Sequence, residues 1–150
     1  MVKQILTEQG VFNYQVNGNG PTLIFIHGFL ESSAIWDSTV SKFSNGYKII
    51  NIDLPGHGLN HHLHSFYSLK HMAALVVTVL QQEKSLKPIG FGHSMGGYVG
   101  LEIEQIFSNR IIILLIPSLA NVSPIMRKKP FYSEMLQLPR CCRVHPLYRY

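Results

Sequence analysis

The sequence predicts an α/β fold of three layers, with a mostly parallel sheet covered by helices on both faces, and three observations carry that expectation. Four short, β-branched apolar runs recur at residues 22–27 (TLIFIH), 48–53 (KIINID), 88–92 (PIGFG) and 110–116 (RIIILLI). Segments of helical period separate them. The runs are apolar almost throughout rather than alternating, as strands covered on both faces are. Strand and helix in repeated succession imply right-handed crossovers between parallel neighbours.

Each element has its own warrant. Residues 11–22, VFNYQVNGNGPT, alternate partly and then meet NGNGP, a turn signal, so a short edge strand or hairpin is expected there. Trp36, Val40 and Phe43 are spaced at three and four residues, which predicts the first helix. In the second, Leu69, Met72, Ala73, Val76, Val79 and Leu80 share one face while Lys70, Gln81 and Gln82 point away. The third aligns Met95, Val99, Ile103, Ile106 and Phe107, leaving Glu102 and Gln105 for solvent. After Ile116 the pattern ends: Pro117, Pro124, Pro130, Pro139 and Pro146 interrupt the remainder. Residues 1–116 are thus expected to form the folded part and residues 117–150 a basic, proline-rich tail of loop character.

Composition narrows the classes. With 150 residues, 46% hydrophobic and 14% charged, the chain suits one globular domain and excludes disorder. Its apolar run IIILLI (111–116) falls far short of the roughly 18 residues of a membrane span, so no membrane partner is expected. Thr7 and Glu8 stand where a secretory signal needs apolar residues, and a cytoplasmic protein is expected. The net charge of +5 is concentrated: residues 110–150 carry +6 and residues 1–109 carry −1. That charge alone argues little, and since the tail shows no recognisable helix, finger or aromatic-sheet motif, no nucleic-acid partner is expected. Cys141 and Cys142 are adjacent, too close for an ordinary disulfide, and are expected as free thiols. Neither Cys142 with His145 nor the histidines 57, 61, 62 and 64 bring the partner set of a metal site, so no metal and no cofactor are expected. The histidine-rich stretch GHGLNHHLH is expected as a solvated loop.

Chemistry concentrates in three blocks. GHSMG (92–96) is a G-x-S-x-G match placed after a predicted strand and opening a predicted helix. A serine hydroxyl becomes a useful nucleophile only when held out toward a base, and a sharp strand-to-helix turn does so at the cost of a strained backbone. Gly92 and Gly96 clear the space for that turn, although close helix–sheet packing alone would also ask for glycine. In IHGFLESSAIW, His27 and Gly28 end a strand and the backbone turns through Phe29 and Leu30. The amides of Phe29 and of Met95, at the positive end of the third helix, then form a two-donor oxyanion hole. The third block is IDLPGHG, residues 52–58.

HGF, DLPGHG and GHSMGG in this order resemble the α/β-hydrolase superfamily, in its small cytoplasmic esterase, lyase and thioesterase-like branch, over roughly residues 10–116. HGFL followed by a tryptophan and DLPGHG is also similar to the branch that contains the menaquinone-pathway lyase. The resemblance implies Ser94 as nucleophile, Phe29 and Met95 as oxyanion-hole donors, residues 53–58 as a structural turn, and His27, Gly28, Leu30 and His93 beside the substrate. His93 is expected to shape the turn rather than act as base. It further implies an acyl or ester substrate, a cap, and two later strands followed by an acid and a histidine. No such pattern follows residue 116, and neither Glu102, Glu104, Glu134 nor His145 is given those roles. The expectation is therefore a hydrolase fold lacking the cap and the last two strands, truncated or frameshifted after about residue 116. Its alternatives are an ester hydrolase and a catalytically silent chain. The bared strand at 110–116 is expected to drive self-association.

Overall fold

Alternation along the strands decides the layers. A computed structural model describes residues 1–43, 45–63, 67–106 and 112–116. The chain divides into two units, Met1–Ser118 and Leu119–Tyr150, and everything described below belongs to the first.

Six strands, β1 (Val2–Thr7), β2 (Gly10–Asn17), β3 (Thr22–Ile26), β4 (Lys48–Ile52), β5 (Ile89–His93) and β6 (Ile112–Ile116), form one sheet in the order β1-β2-β4-β3-β5-β6. β4, β3, β5 and β6 run parallel, and the β1–β2 hairpin joins antiparallel to β4. On one face Ile24, Ile26, Ile50 and Ile52 pack with Met72, Ala73, Val76 and Leu80 of α2 (Leu69–Gln82) and Val99 and Ile103 of α3 (Met95–Ile106). On the other, Phe25 stacks on Phe91 with ring centroids 4.8 Å apart and meets Trp36 at 5.3 Å, while Phe43 of α1 (Asp37–Phe43) lies 6.4 Å from Phe91. The sheet is thereby covered on both sides, which is what its unbroken apolar strands require.

The hairpin differs from expectation. Its turn lies at residues 8–9, between the Thr7 and Gly10 register partners, and the NGNGP stretch instead leads from β2 into β3. Gly10 takes φ +128°, a conformation that L side chains rarely adopt, so glycine does there what NGNG was expected to do. The helix-face predictions fail at their ends: Leu69 is 36% and Ile106 50% exposed, because the first and last turns of α2 and α3 run past the edge of the core. Phe107, also expected on that face, lies outside the described residues.

The hairpin is tied to the rest by polar contacts remote in sequence. Asn60, wholly buried, donates from Nδ2 to the carbonyls of Asn13 (2.8 Å) and Asp53 (2.7 Å), and its Oδ1 accepts from the Asn13 amide at 2.7 Å. Glu83, just past α2, accepts from Lys3 and Lys48 at 2.8 Å each and from the Tyr14 hydroxyl at 3.0 Å, joining β1, β2, β4 and α2.

Candidate active site

Ser94 sits between β5 and α3 with φ +48°, a left-handed backbone that a non-glycine residue adopts only under constraint. The constraint is visible in its glycines. A Cβ at Gly92 would stand 2.6 Å from the Gly96 carbonyl oxygen and 2.7 Å from the Gly97 nitrogen, and one at Gly96 would strike the Ile26 carbonyl and lie 2.6 Å from that of His27. These neighbours are backbone and cannot swing aside, so the glycines are what let α3 start directly against β3 and β5. Gly97 N–H donates to the Ser94 carbonyl at 2.9 Å, closing the first turn of the helix.

The turn after β3 lies beside this serine: a Cβ at Gly28 would be 3.1 Å from the Ser94 Cβ. Leu30, at φ +60°, gives the turn its tight form. Its amides are almost all engaged. Gly28 N–H donates to Glu31 Oε2 (2.6 Å), Leu30 N–H to His57 Nε2 (3.2 Å) and Glu31 N–H to the Gly28 carbonyl (3.4 Å). Among the described residues the Phe29 N–H has no hydrogen-bond partner, and neither does the Met95 N–H at the start of α3. Two unsatisfied amides, one in each segment flanking Ser94, are what an incoming anion would bind.

One carboxylate oxygen links the two segments. Glu31 Oε2 accepts from Gly28 N–H and also lies 2.9 Å from His93 Nδ1, the residue before Ser94. Burial acts to raise the Glu31 pKa, but the hydrogen bonds from His93 and Gly28 outweigh it and leave the carboxyl below its ordinary value.

His27 was expected beside the substrate, and here the structure corrects the sequence. Its side chain is wholly enclosed, with Nε2 accepting from Leu54 N–H (2.9 Å). That leaves Nδ1 as the protonated nitrogen, which donates to the Gly28 carbonyl at 2.6 Å. Burial holds this imidazole below its usual pKa, the backbone bond to Gly28 only partly opposing, so it stays neutral and ties the end of β3 to the loop after β4.

That loop is the DLPGHG block. Asp53 is buried, and its carboxylate accepts from the amides of Ser33 (2.6 Å) and Leu59 (3.0 Å). Gly58, at φ +45°, lies directly over it, where any Cβ would collide with the carboxylate. His57 is half-buried rather than solvated: its Nδ1 donates to the Pro55 carbonyl (3.0 Å), its Nε2 holds Leu30, and its ring lies 5.0 Å from that of His27. His61 and His62 are exposed as expected, while His64 lies outside the described residues.

The structure thus brings Ser94, Met95, Gly28, Phe29 and His93 into one neighbourhood, with Phe29 and Leu30 66% and 83% exposed at its rim. Glu31 and His57 were missed as site residues, since a lone glutamate in HGFLES and a histidine in a loop carry no spacing signal. Glu102 lies partly buried and Glu104 partly buried on α3, and Glu134, His145, Cys141 and Cys142 lie outside the described residues. Among the described residues no group of three or more His, Cys, Asp or Glu could hold a metal ion. No helix among them is long and apolar enough to cross a membrane.

Comparison with known proteins agrees with this geometry. The alpha/beta hydrolase fold family profile matches residues 21–130. A pimeloyl-[acyl-carrier protein] methyl ester esterase of Nitrosomonas europaea is 32% identical over 59% of this chain and 33% of its own length. A putative esterase/lipase of Haemophilus influenzae is 36% identical over 65% of this chain and 36% of its own. The solved structure of Est816, described as an N-acyl homoserine lactone degrading enzyme, superposes with a TM-score of 0.72 at 26% identity, covering 76% of this chain and 44% of that one. The chain therefore spans about a third of the length of these curated relatives. With the profile matched across most of its length, and with a serine at left-handed φ between a central parallel strand and the helix that follows it, the chain belongs to the alpha/beta hydrolase fold family.

Proposed function

We propose that this chain carries the nucleophile and oxyanion hole of a serine hydrolase acting on a carboxylic ester or related acyl compound. The observation that carries the reading is the φ of +48° at Ser94 beside a turn in which Phe29 alone keeps a free amide. In that reading Ser94 Oγ attacks the carbonyl carbon as its proton passes to a base. The N–H groups of Phe29 and Met95 receive the oxyanion, where each such donor is worth a factor of about 10² to 10³ in rate. Collapse expels the alcohol, and water then releases the acid from the acyl-serine. The esterase names of the relatives support an ester or related acyl substrate. Gly28 and Leu30 would lie along it through their backbone and His93 at its edge.

A second reading, a catalytically silent chain, is favoured by one observation: the described residues after Ser94 include no histidine, and their only acids are Glu102 and Glu104 on α3. A fluorophosphonate probe followed by intact mass separates the readings. The hydrolase reading expects one adduct on wild type and none on Ser94→Ala; equal labelling of both would overturn it. A silent chain shows no adduct, and its hydrolysis of p-nitrophenyl acetate equals that of Ser94→Ala.

A further inference from the structure

We infer that Glu31 is a positioning residue for the oxyanion hole, a single carboxylate oxygen that braces both segments carrying its donor amides. This deepens the reading of Ser94 as nucleophile and rests on it. The first donor, Phe29 N–H, belongs to a four-residue turn whose preceding amide, Gly28 N–H, ends on Glu31 Oε2 at 2.6 Å. The second, Met95 N–H, follows Ser94 and His93, and His93 Nδ1 meets the same Oε2 at 2.9 Å. Nothing else among the described side chains bridges β3's turn to the end of β5.

The arrangement has a chemical logic. A free Gly28 N–H would compete with Phe29 for an incoming oxygen, or turn the peptide so that both donors missed it. Capturing Gly28 leaves Phe29 as the turn's one free donor. The cost is a negative charge near the place where an oxyanion forms. His93 and the Gly28 amide, both donating to that charge, offset it, and they also keep the carboxyl ionised to lower pH than an ordinary glutamate. Because the requirement is for an accepting oxygen rather than for charge, glutamine can replace glutamate here and alanine cannot.

The test uses the full chain as wild type, Glu31→Gln and Glu31→Ala, with two readouts. In hydrogen exchange by NMR, the Gly28 amide should exchange at least about tenfold faster in Glu31→Ala than in wild type, with Glu31→Gln close to wild type. The rate of Ser94 labelling by the fluorophosphonate should fall about tenfold or more in Glu31→Ala and stay within about threefold in Glu31→Gln. A general loss of fold would instead speed exchange across β3 and β5 and fail to distinguish the two variants. Unchanged Gly28 exchange in Glu31→Ala overturns the inference, as does a Glu31→Gln variant that labels as slowly as Glu31→Ala. Should wild type itself take no label, the reading of Ser94 fails, and Gly28 exchange still decides whether the brace exists.

Discussion

Replacing Glu83 by glutamine should remove the largest single electrostatic contribution visible in the fold, and the size of the loss can be worked out. The Glu83 side chain is 6% exposed and receives Lys3, Lys48 and the Tyr14 hydroxyl. Burial pushes its pKa up, but those hydrogen bonds more than reverse the effect and bring it from 4.5 down to about 2. A folded-state pKa below the unfolded value means stability that is present above pH 4.5 and lost as pH falls through about 2. At about 1.4 kcal/mol per unit, the shift corresponds to about 3 kcal/mol at pH 7. With a urea slope of about 1–3 kcal/mol/M, Glu83→Gln should unfold about 1–3 M earlier than wild type at pH 7. At pH 2.5 the gap should shrink to about 1 kcal/mol or less, because the carboxylate is then protonated in the unfolded state and close to its folded-state midpoint of about 2. Urea unfolding followed by far-UV circular dichroism at both pH values measures this. Coincident curves at pH 7, or a gap unchanged at pH 2.5, would show that the cluster contributes packing rather than charge.

Three further outcomes are expected. Ser94→Gly should stabilise the fold by up to about 1 kcal/mol, read as a rise of a few degrees in the melting midpoint, because glycine adopts left-handed φ without the penalty that a side chain incurs; a lower midpoint would mean that the backbone at 94 is unstrained. Gly96→Ala should cost about 2 kcal/mol or more, since its Cβ meets the fixed carbonyls of Ile26 and His27, and chemical denaturation showing no loss would refute the close approach. We also propose that the chain self-associates through β6, which stands last in the strand order among the described residues; light scattering should show Ile113→Lys less associated than wild type, and two identical monodisperse monomers would refute this.

What the sequence disclosed and what it hid follow one physical division. The four parallel strands and the Ser94 turn were legible because each depends on a contiguous stretch: an apolar run covered on both faces, or glycines around a serine at a strand-to-helix boundary. β1 was not, since VKQILT buries only Ile5 and its turn lacks the usual residue pairs. The Glu83 cluster draws on positions 3, 14, 48 and 83, and no window of sequence holds them together. His27 was placed beside the substrate by the family resemblance, and no stretch of sequence shows that its side chain points into the protein toward Leu54. His57 and Glu31 escaped for the converse reason: their importance lies in which backbone amide each one holds, and polar loops look alike until those partners are known.

The position of β3 bears on when Ser94 acquires its form. β3 lies between β4 and β5, so Leu23 pairs first with Ile49 and then with Ile89, far along the chain. Such distant pairings are made slowly, because the loop they close must be ordered before it is rewarded. Gly96 can settle against the Ile26 carbonyl only once β5 has docked on β3, and the left-handed backbone at Ser94 depends on that seating. A chain in which β5 has not docked accordingly lacks what holds Ser94 in its left-handed backbone. On the proposed reading of Ser94 as nucleophile, the topology ties its activation to the pairing of β3 with β5, and a chain in which that pairing is open lacks the geometry for acylation.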